Sequence, residues 1–151
     1  VLSIPEFRTQ RAQSSDADQL ALIRVMAMRP SLEAVGRFDP IRAKARFLTS
    51  FTPDDTQIIY LGEIIIGFYV LSRYADHLYL DHFYIAPDFQ RKGVGRLVVE
   101  GVKREAKACH LPLRLMALNG SSANDFYRLC GFRFVSSDGV DTIYEWLPGR
   151  I

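Results

Sequence analysis

The sequence predicts an α/β domain whose strands are covered on both faces by helices. Three observations carry that prediction. The runs Gln57-Ile58-Ile59-Tyr60-Leu61 and Ile64-Ile65-Ile66-Gly67-Phe68-Tyr69-Val70-Leu71 are continuously apolar, as in strands packed on two sides. Leu97, Val98, Gly101, Val102 and Ala106 recur at helical spacing, with Glu100, Lys103, Arg104 and Lys107 on the other side. Between these patterns, the strand-like Leu78-Tyr79-Leu80-Asp81-His82-Phe83-Tyr84-Ile85 leads into Gln90-Arg91-Lys92-Gly93-Val94-Gly95-Arg96-Leu97, so glycines stand where a strand becomes a helix. The 151 residues, 48% hydrophobic, suffice for one domain, 1–151, with a proper core.

In chain order, Phe7-Arg8-Thr9-Gln10-Arg11-Ala12 alternates like a strand, with little apolar signal. Ser15-Asp16-Ala17-Asp18 reads as a capping box opening a helix that buries Leu20, Ile23 and Ala27. That helix is expected to end near Arg29-Pro30, because Pro disfavours helix in the residue before it. A second helix opens near Asp39-Pro40 with Ile41, Ala45 and Leu48 as its inner stripe. Gly62-Glu63 is a tight hairpin signal between the strands 57–61 and 64–71. After the helix that follows the glycines, and ends before Pro112, comes the strand Leu113-Arg114-Leu115-Met116-Ala117-Leu118. Ser122 with Asp125 then caps a short helix closed by Gly131. Phe132-Arg133-Phe134-Val135 and Thr142-Ile143-Tyr144-Glu145-Trp146 pair across Ser137-Asp138-Gly139.

Composition excludes several classes. A net charge of +2 is too small to imply a nucleic-acid partner. No apolar run approaches the roughly 18 residues of a membrane span. Val1-Leu2-Ser3-Ile4-Pro5 lacks a signal-peptide pattern, and Cys109 and Cys130 suit thiols in a reducing cytoplasm. His77, His82 and His110 show no metal-ligand spacing, so no metal is expected.

The glycine segment carries the chemistry. Backbone N–H groups at a helix start lack intrahelical partners, and the helix dipole adds partial positive charge there. Glycines let that backbone approach a ligand, and Arg91, Lys92 and Arg96 add full charges, which makes a cradle suited to a pyrophosphate. The bland reading is an ordinary strand-to-helix turn with a solvated basic rim. A Walker A loop is absent, and the Rossmann fingerprint fails at Val98, where its third glycine belongs.

Gln90-Arg91-Lys92-Gly93-Val94-Gly95 resembles the acetyl-CoA signature of the GNAT N-acetyltransferases, Gln/Arg-x-x-Gly-x-Gly/Ala, preceded by Ile85-Ala86-Pro87-Asp88-Phe89 as strand end and Pro-turn. Ala123-Asn124-Asp125-Phe126-Tyr127-Arg128-Leu129-Cys130-Gly131-Phe132 is similar to the family's Ala-x-x-Phe-Tyr-x-x-x-Gly-Phe. The resemblance implies a mixed, mostly antiparallel sheet of about seven strands with helices on both faces. It also implies that the strands at 78–85 and 113–118 splay apart. It further implies acetyl-CoA as co-substrate. Phe83, Tyr84 and Ile85 would meet the pantetheine arm through backbone groups of Phe83 and Ile85. Gln90, Arg91, Lys92, Gly93, Val94, Gly95 and Arg96 would meet its phosphates.

Acetyl transfer to an amine requires a polarised carbonyl, an amine that loses its proton and a stabilised thiolate. Neither cysteine has a plausible His partner in sequence, so direct attack is favoured. By the resemblance, Tyr127 is the general acid; a phenol, with a reference pKa of about 10, is protonated at neutral pH. The bland reading of Tyr127 is core packing. Asp81 and His82, on opposite faces of one strand, compete for the role of base. The family's asparagine seven residues before the tyrosine falls here on Gly120, so Asn119 and Asn124 are offered as cofactor contacts instead.

The acceptor is expected to be a small primary amine. Arg24, Arg29, Arg37, Arg42, Lys44 and Arg46 against Glu33 and Asp39 favour one carrying an acidic group, unless those side chains only solvate helix faces. The alternatives are an acyl-CoA-binding sensor or structural module without turnover, a protein or peptide N-acetyltransferase, and a plain nucleotide-phosphate binder. A homodimer is compatible with all of these.

Overall fold

A computed structural model describes residues 6–149; the signal-peptide reading of residues 1–5 lies outside them. The elements are β1 (Arg8–Arg11), α1 (Ala17–Ala34), α2 (Pro40–Ser50), β2 (Thr56–Leu61), β3 (Ile64–Arg73), β4 (Leu78–Ile85), α3 (Val94–Cys109), β5 (Leu113–Leu118), α4 (Ala123–Leu129), β6 (Arg133–Ser137) and β7 (Asp141–Trp146). The seven strands form one mixed, mostly antiparallel sheet, as expected, and their order is β1-β2-β3-β4-β5-β7-β6. The chain divides into two compact units. The first takes the described residues up to Val70 with His82–Gly95, and the second takes Leu71–Asp81 with the described residues from Arg96 onward.

In the first unit β1, β2 and β3 make an antiparallel meander. Gly62, at φ 61°, makes the turn between β2 and β3. A bulge between Ile59 and Tyr60 lies opposite β3 at Gly67 and Ile65. Glycine is required at 67, because a Cβ there would stand 2.3 Å from the Tyr84 carbonyl oxygen. Leu20, Ala21, Ile23, Phe47, Ile58, Phe68 and Val70 form the core of this unit.

Three local expectations are corrected here. The Asp16 carboxylate accepts from the Gln13 N–H at 2.8 Å, so the helix opens two residues before the predicted Ser15 box, through a short 3-10 turn. Pro30 lies inside α1, which runs on to Ala34. Its stop is Gly36 at φ 70°, with Arg37 N–H on Leu32 O at 2.8 Å and Gly36 N–H on Glu33 O at 3.0 Å. Those two bonds satisfy the last carbonyls, and no residue but glycine takes that backbone without strain. The buried stripe of α2 is Ala43 and Phe47, whereas Ile41 is 82% exposed and Ala45 and Leu48 also face out. The bulk of Phe47 sets this rotation, since its ring packs on Phe51 and Phe68 at 5.3 and 5.2 Å. Asp39 caps α2 as expected, accepting from Arg42 N–H at 3.1 Å with Pro40 in the first turn.

In the second unit β4 runs parallel to β5 only from Leu78 to Leu80, opposite Leu113 to Leu115. That register stops before Asp81 and Met116, although both strands continue. β5–β7 and β6–β7 are antiparallel. The buried face of α3 is Val94, Val98, Val99, Val102 and Ala106, an i, i+4 stripe plus one neighbour; Leu97, expected in it, is exposed. Ser122 holds the N-cap place of α4 without the expected side-chain bond. Gly131, at φ 91°, closes α4 as expected, with Phe132 N–H on Tyr127 O and Gly131 N–H on Arg128 O. α3 ends the same way, Leu111 N–H on Ala106 O and His110 N–H on Lys107 O, but with His110 rather than glycine at φ 56°.

Candidate active site

The glycine segment lies in the first unit, between the end of β4 and the start of α3. Its backbone alternates out of the ordinary regions: Arg91 is at φ 62° and Gly93 at φ 84°. Left-handed backbone in a turn before a helix can direct successive N–H groups to one side, the arrangement of an anion-binding concavity. A Cβ added at Gly93 would meet nothing within 4 Å, so this backbone borders open space. Arg91, Lys92 and Arg96 are exposed, and the Lys92 ammonium sits 5.8 Å over the Phe89 ring. Val94 turns inward and anchors the first turn of α3. The donors and charges therefore fit a pyrophosphate. Gln90 has a different task, since its Nε2 donates to Ile85 O at 2.8 Å and pins the strand end to the loop. Ala86 N–H donates to Ile66 O at 2.7 Å.

The His82–Ile85 end of β4 carries a second constellation. His82 and Tyr84 share a face, and His82 Nδ1 lies 3.1 Å from the Tyr84 hydroxyl. Arg24 Nε donates to that hydroxyl at 3.3 Å, and Arg24 Nη1 donates to Ala43 O at 2.5 Å. Phe47 meets the His82 imidazole edge to face at 5.6 Å, and Phe68 packs on Tyr84 at 5.5 Å. Arg24 is 7% exposed, so it belongs to the interior and not to the basic surface in which the sequence placed it. Of the other cations in that set, Arg29 pairs with Glu33 at 2.5 Å and Lys44 lies 4.0 Å from Asp18. Of the six, Arg37, Arg42 and Arg46 are left as exposed cations with no such contact among the described residues, which weakens the case for an acidic acceptor. The position of Arg24 was readable in part: it stands four residues after Leu20, on the predicted inner face of α1.

In the second unit, Tyr127 is 7% exposed and its ring packs against Phe126, Phe132 and Tyr144, with centroids 5.3, 5.6 and 6.4 Å away. The carbonyl bond from Phe132 fixes its backbone. Both candidate asparagines are committed to structure. Asn119 Nδ2 donates to Asp138 O at 2.9 Å and Asn119 Oδ1 accepts from Thr142 at 2.6 Å, which ties the end of β5 to the β6–β7 turn. Asn124 Nδ2 donates to Leu118 O at 2.9 Å, while Asn124 Oδ1 accepts from the Tyr144 hydroxyl at 2.8 Å. Both line a groove of about 440 Å³ with Ser121, Asp125 and Arg128. Asp81 is exposed.

Cys130 is 4% exposed, and burial pushes its thiol above the ordinary value, with the Lys103 and Arg96 cations working the other way. A thiol held protonated is a poor nucleophile. Glu145 is buried between two guanidinium groups, accepting from Arg133 at 2.9 Å and Arg114 at 2.8 Å. Those hydrogen bonds, Arg133 first, hold its carboxyl below the ordinary value. Among the described residues, no cluster of three His, Cys, Asp or Glu side chains could hold a metal ion. No helix among them is long and apolar enough to cross a membrane.

Residues 27–150 match the family model described as the acetyltransferase (GNAT) domain. No curated protein sequence matches significantly. Among solved structures, the chain is similar to the PaiA N-acetyltransferase from Thermoplasma acidophilum, in complex with coenzyme A. The TM-score is 0.73 at 20% identity, over 94% of this chain and 99% of that one. An acetyltransferase from Thermus thermophilus gives 0.71 at 23% identity, over 97% and 99%. The ribosomal-protein-S18-alanine N-acetyltransferase from Escherichia coli gives 0.73 at 15%, over 97% and 96%. At these identities the structures attest the fold.

Proposed function

This chain belongs to the GNAT acetyltransferase family, and from that premise we propose that it moves the acetyl group of acetyl-CoA to a primary amine of a small molecule by direct attack. The amine lone pair forms the new C–N bond at the thioester carbon, the C–S bond breaks, and the sulfur leaves with the electron pair. One proton leaves the attacking nitrogen for a base and one reaches the departing sulfur, so the products are an acetamide and free CoA thiol. The observation that carries the reading is the segment 90–95, with its left-handed Arg91 and Gly93 opening onto space before the helix start. The pyrophosphate would rest on the backbone of residues 91–96, beside the exposed Arg91, Lys92 and Arg96, and the pantetheine arm on backbone groups of Phe83 and Ile85. Tyr127 is assigned as the acid at sulfur, and Asp81 and His82 are the candidates facing the amine. The buried, protonated Cys130 supports transfer without an acyl-enzyme.

The test is isothermal titration with acetyl-CoA, followed by thiol release over amines, amino acids and alanine-ended peptides. Tight binding and saturable thiol release with a small amine are expected. Binding without release on any acceptor would make the chain a sensor, and preference for the peptides would make it a protein N-acetyltransferase. ATP or NAD displacing acetyl-CoA would defeat the cofactor assignment.

A further inference from the structure

We infer that Arg24 and Tyr84 are positioning residues that fix His82 as the neutral tautomer with its proton on Nε2, so that His82 faces the reaction as a hydrogen-bond donor and not as the base. The inference rests on the acetyltransferase reading only for its catalytic meaning. The tautomer follows from the side chains themselves.

Arg24 Nε carries a single hydrogen, and that hydrogen is aimed at the Tyr84 oxygen at 3.3 Å. Its Nη1 is spent on Ala43 O. Arg24 is buried, is always ionised, and among the described residues pairs with no carboxylate. Its charge therefore acts on the neutral groups it touches, and the phenol is one of them. A phenol oxygen that accepts from a guanidinium becomes a stronger donor through its own O–H. The group 3.1 Å from that oxygen is His82 Nδ1. The aromatic surroundings of Phe47 and Phe68 exclude water from one side of the chain and strengthen each link. The direction of donation is thus Arg24 to Tyr84 to His82. With Nδ1 accepting, the imidazole proton must sit on Nε2. Such a ring offers no lone pair to a substrate ammonium. It offers an N–H, suited to an acceptor carbonyl or to the oxygen that gains charge as the amine attacks. Removing the proton from nitrogen then falls to a group other than His82.

Long-range proton–nitrogen correlation spectra of the ¹⁵N-labelled full chain, at a pH where imidazole is neutral, report the tautomer of each of the three histidines directly. His82→Gln identifies the His82 signals. The expected result is a protonated Nε2 and an unprotonated Nδ1 in the parent. In Tyr84→Phe the aromatic packing stays and the donor is lost, so His82 should shift to a mixture or to the Nδ1–H form. The same variant should lower kcat roughly tenfold, the scale of one polarised hydrogen bond, with the acetyl-CoA affinity kept. A parent His82 protonated at Nδ1, or a Tyr84→Phe spectrum identical to the parent's, would overturn the inference. Should the parent transfer acetyl to no amine at all, the catalytic reading fails, while the spectra still decide the tautomer.

Discussion

Each unit buries one charged side chain in a cluster that contains arginine, Arg24 in the first and Glu145 in the second, and the two are built on opposite plans. In the second unit Arg114 and Arg133 close on Glu145, so cations meet a carboxylate. In the first unit Arg24 meets a carbonyl and a phenol, and no carboxylate among the described residues. A paired charge is largely cancelled beyond its own contacts, and what it contributes is stability that depends on pH. A charge given only neutral acceptors keeps its field and spends it on them. The cluster at the His82–Ile85 end of β4 is the one without a carboxylate among the described residues, and the other ties β5, β6 and β7 together.

The largest test of that contrast lies in the second unit, where Tyr127 sits among aromatic rings apart from the Glu145 cluster. Tyr127→Phe loses one hydroxyl and no packing, and turnover should fall roughly 10²-fold or more, the scale of a general acid, with acetyl-CoA affinity unchanged. Steady-state kinetics beside a titration separate the two quantities, and unchanged turnover would leave Tyr127 a core residue. In the first unit, Gly95→Val puts a branched side chain at the helix start. Acetyl-CoA should bind about tenfold or more weakly, the loss of at least one charge-assisted backbone bond. Thermal shift with and without acetyl-CoA shows whether binding falls while the fold persists.

Glu145→Gln strikes the paired cluster and should cost about 1–2 kcal/mol of stability in urea unfolding, with turnover at saturating acetyl-CoA unaltered. Its pH dependence is the sharper signature. Glu145 titrates below its ordinary 4.5 in the folded chain, so the unfolded chain takes up the proton first as pH falls. The stabilisation is complete above the ordinary value and is lost as pH falls through the depressed one. Glu145→Gln should flatten that acid limb, and an unchanged limb would show that other carboxylates govern it. The smallest effect concerns His110, which ends α3 in a conformation that costs an L-residue about 1–2 kcal/mol. His110→Gly should raise stability by about 0.5–1 kcal/mol once the freer unfolded chain is counted, and a lower midpoint would refute the assignment of strain.

The strands and the glycine loop were legible in the sequence because their signals are local. β4 and β5 follow from short segments rich in aromatic and aliphatic residues, and the loop from glycines between a strand and a helix. What misled was competition between signals. Pro30 reads as a stop, yet an intrahelical proline loses one bond, and Gly36 provides the stronger end. Ile41 and Leu48 read as an inner stripe by hydropathy, but one phenyl ring outweighs two aliphatic side chains in setting the rotation of α2. Arg24 was the costliest misreading. A charge in a sequence is counted as surface, and only tertiary structure shows the carbonyl and phenol that let it stay inside. Tertiary structure alone likewise shows the bonds of Asn119 to Asp138 O and Thr142, of Asn124 to Leu118 O and Tyr144, and of Gln90 to Ile85 O.

Gly67 leaves no space for even one added methyl, and the atom in the way is the backbone oxygen of Tyr84. A side-chain tip could swing aside; a strand backbone cannot move without taking its residue along. Alanine at 67 would therefore displace the residue that holds His82. In a saturation-mutagenesis screen, this site on β3 should score as intolerant as the residues of the reaction, with a soluble, folded product. Sequence drift at position 67 is thereby blocked from the first step, and a lineage that left glycine would first have to re-lay β4.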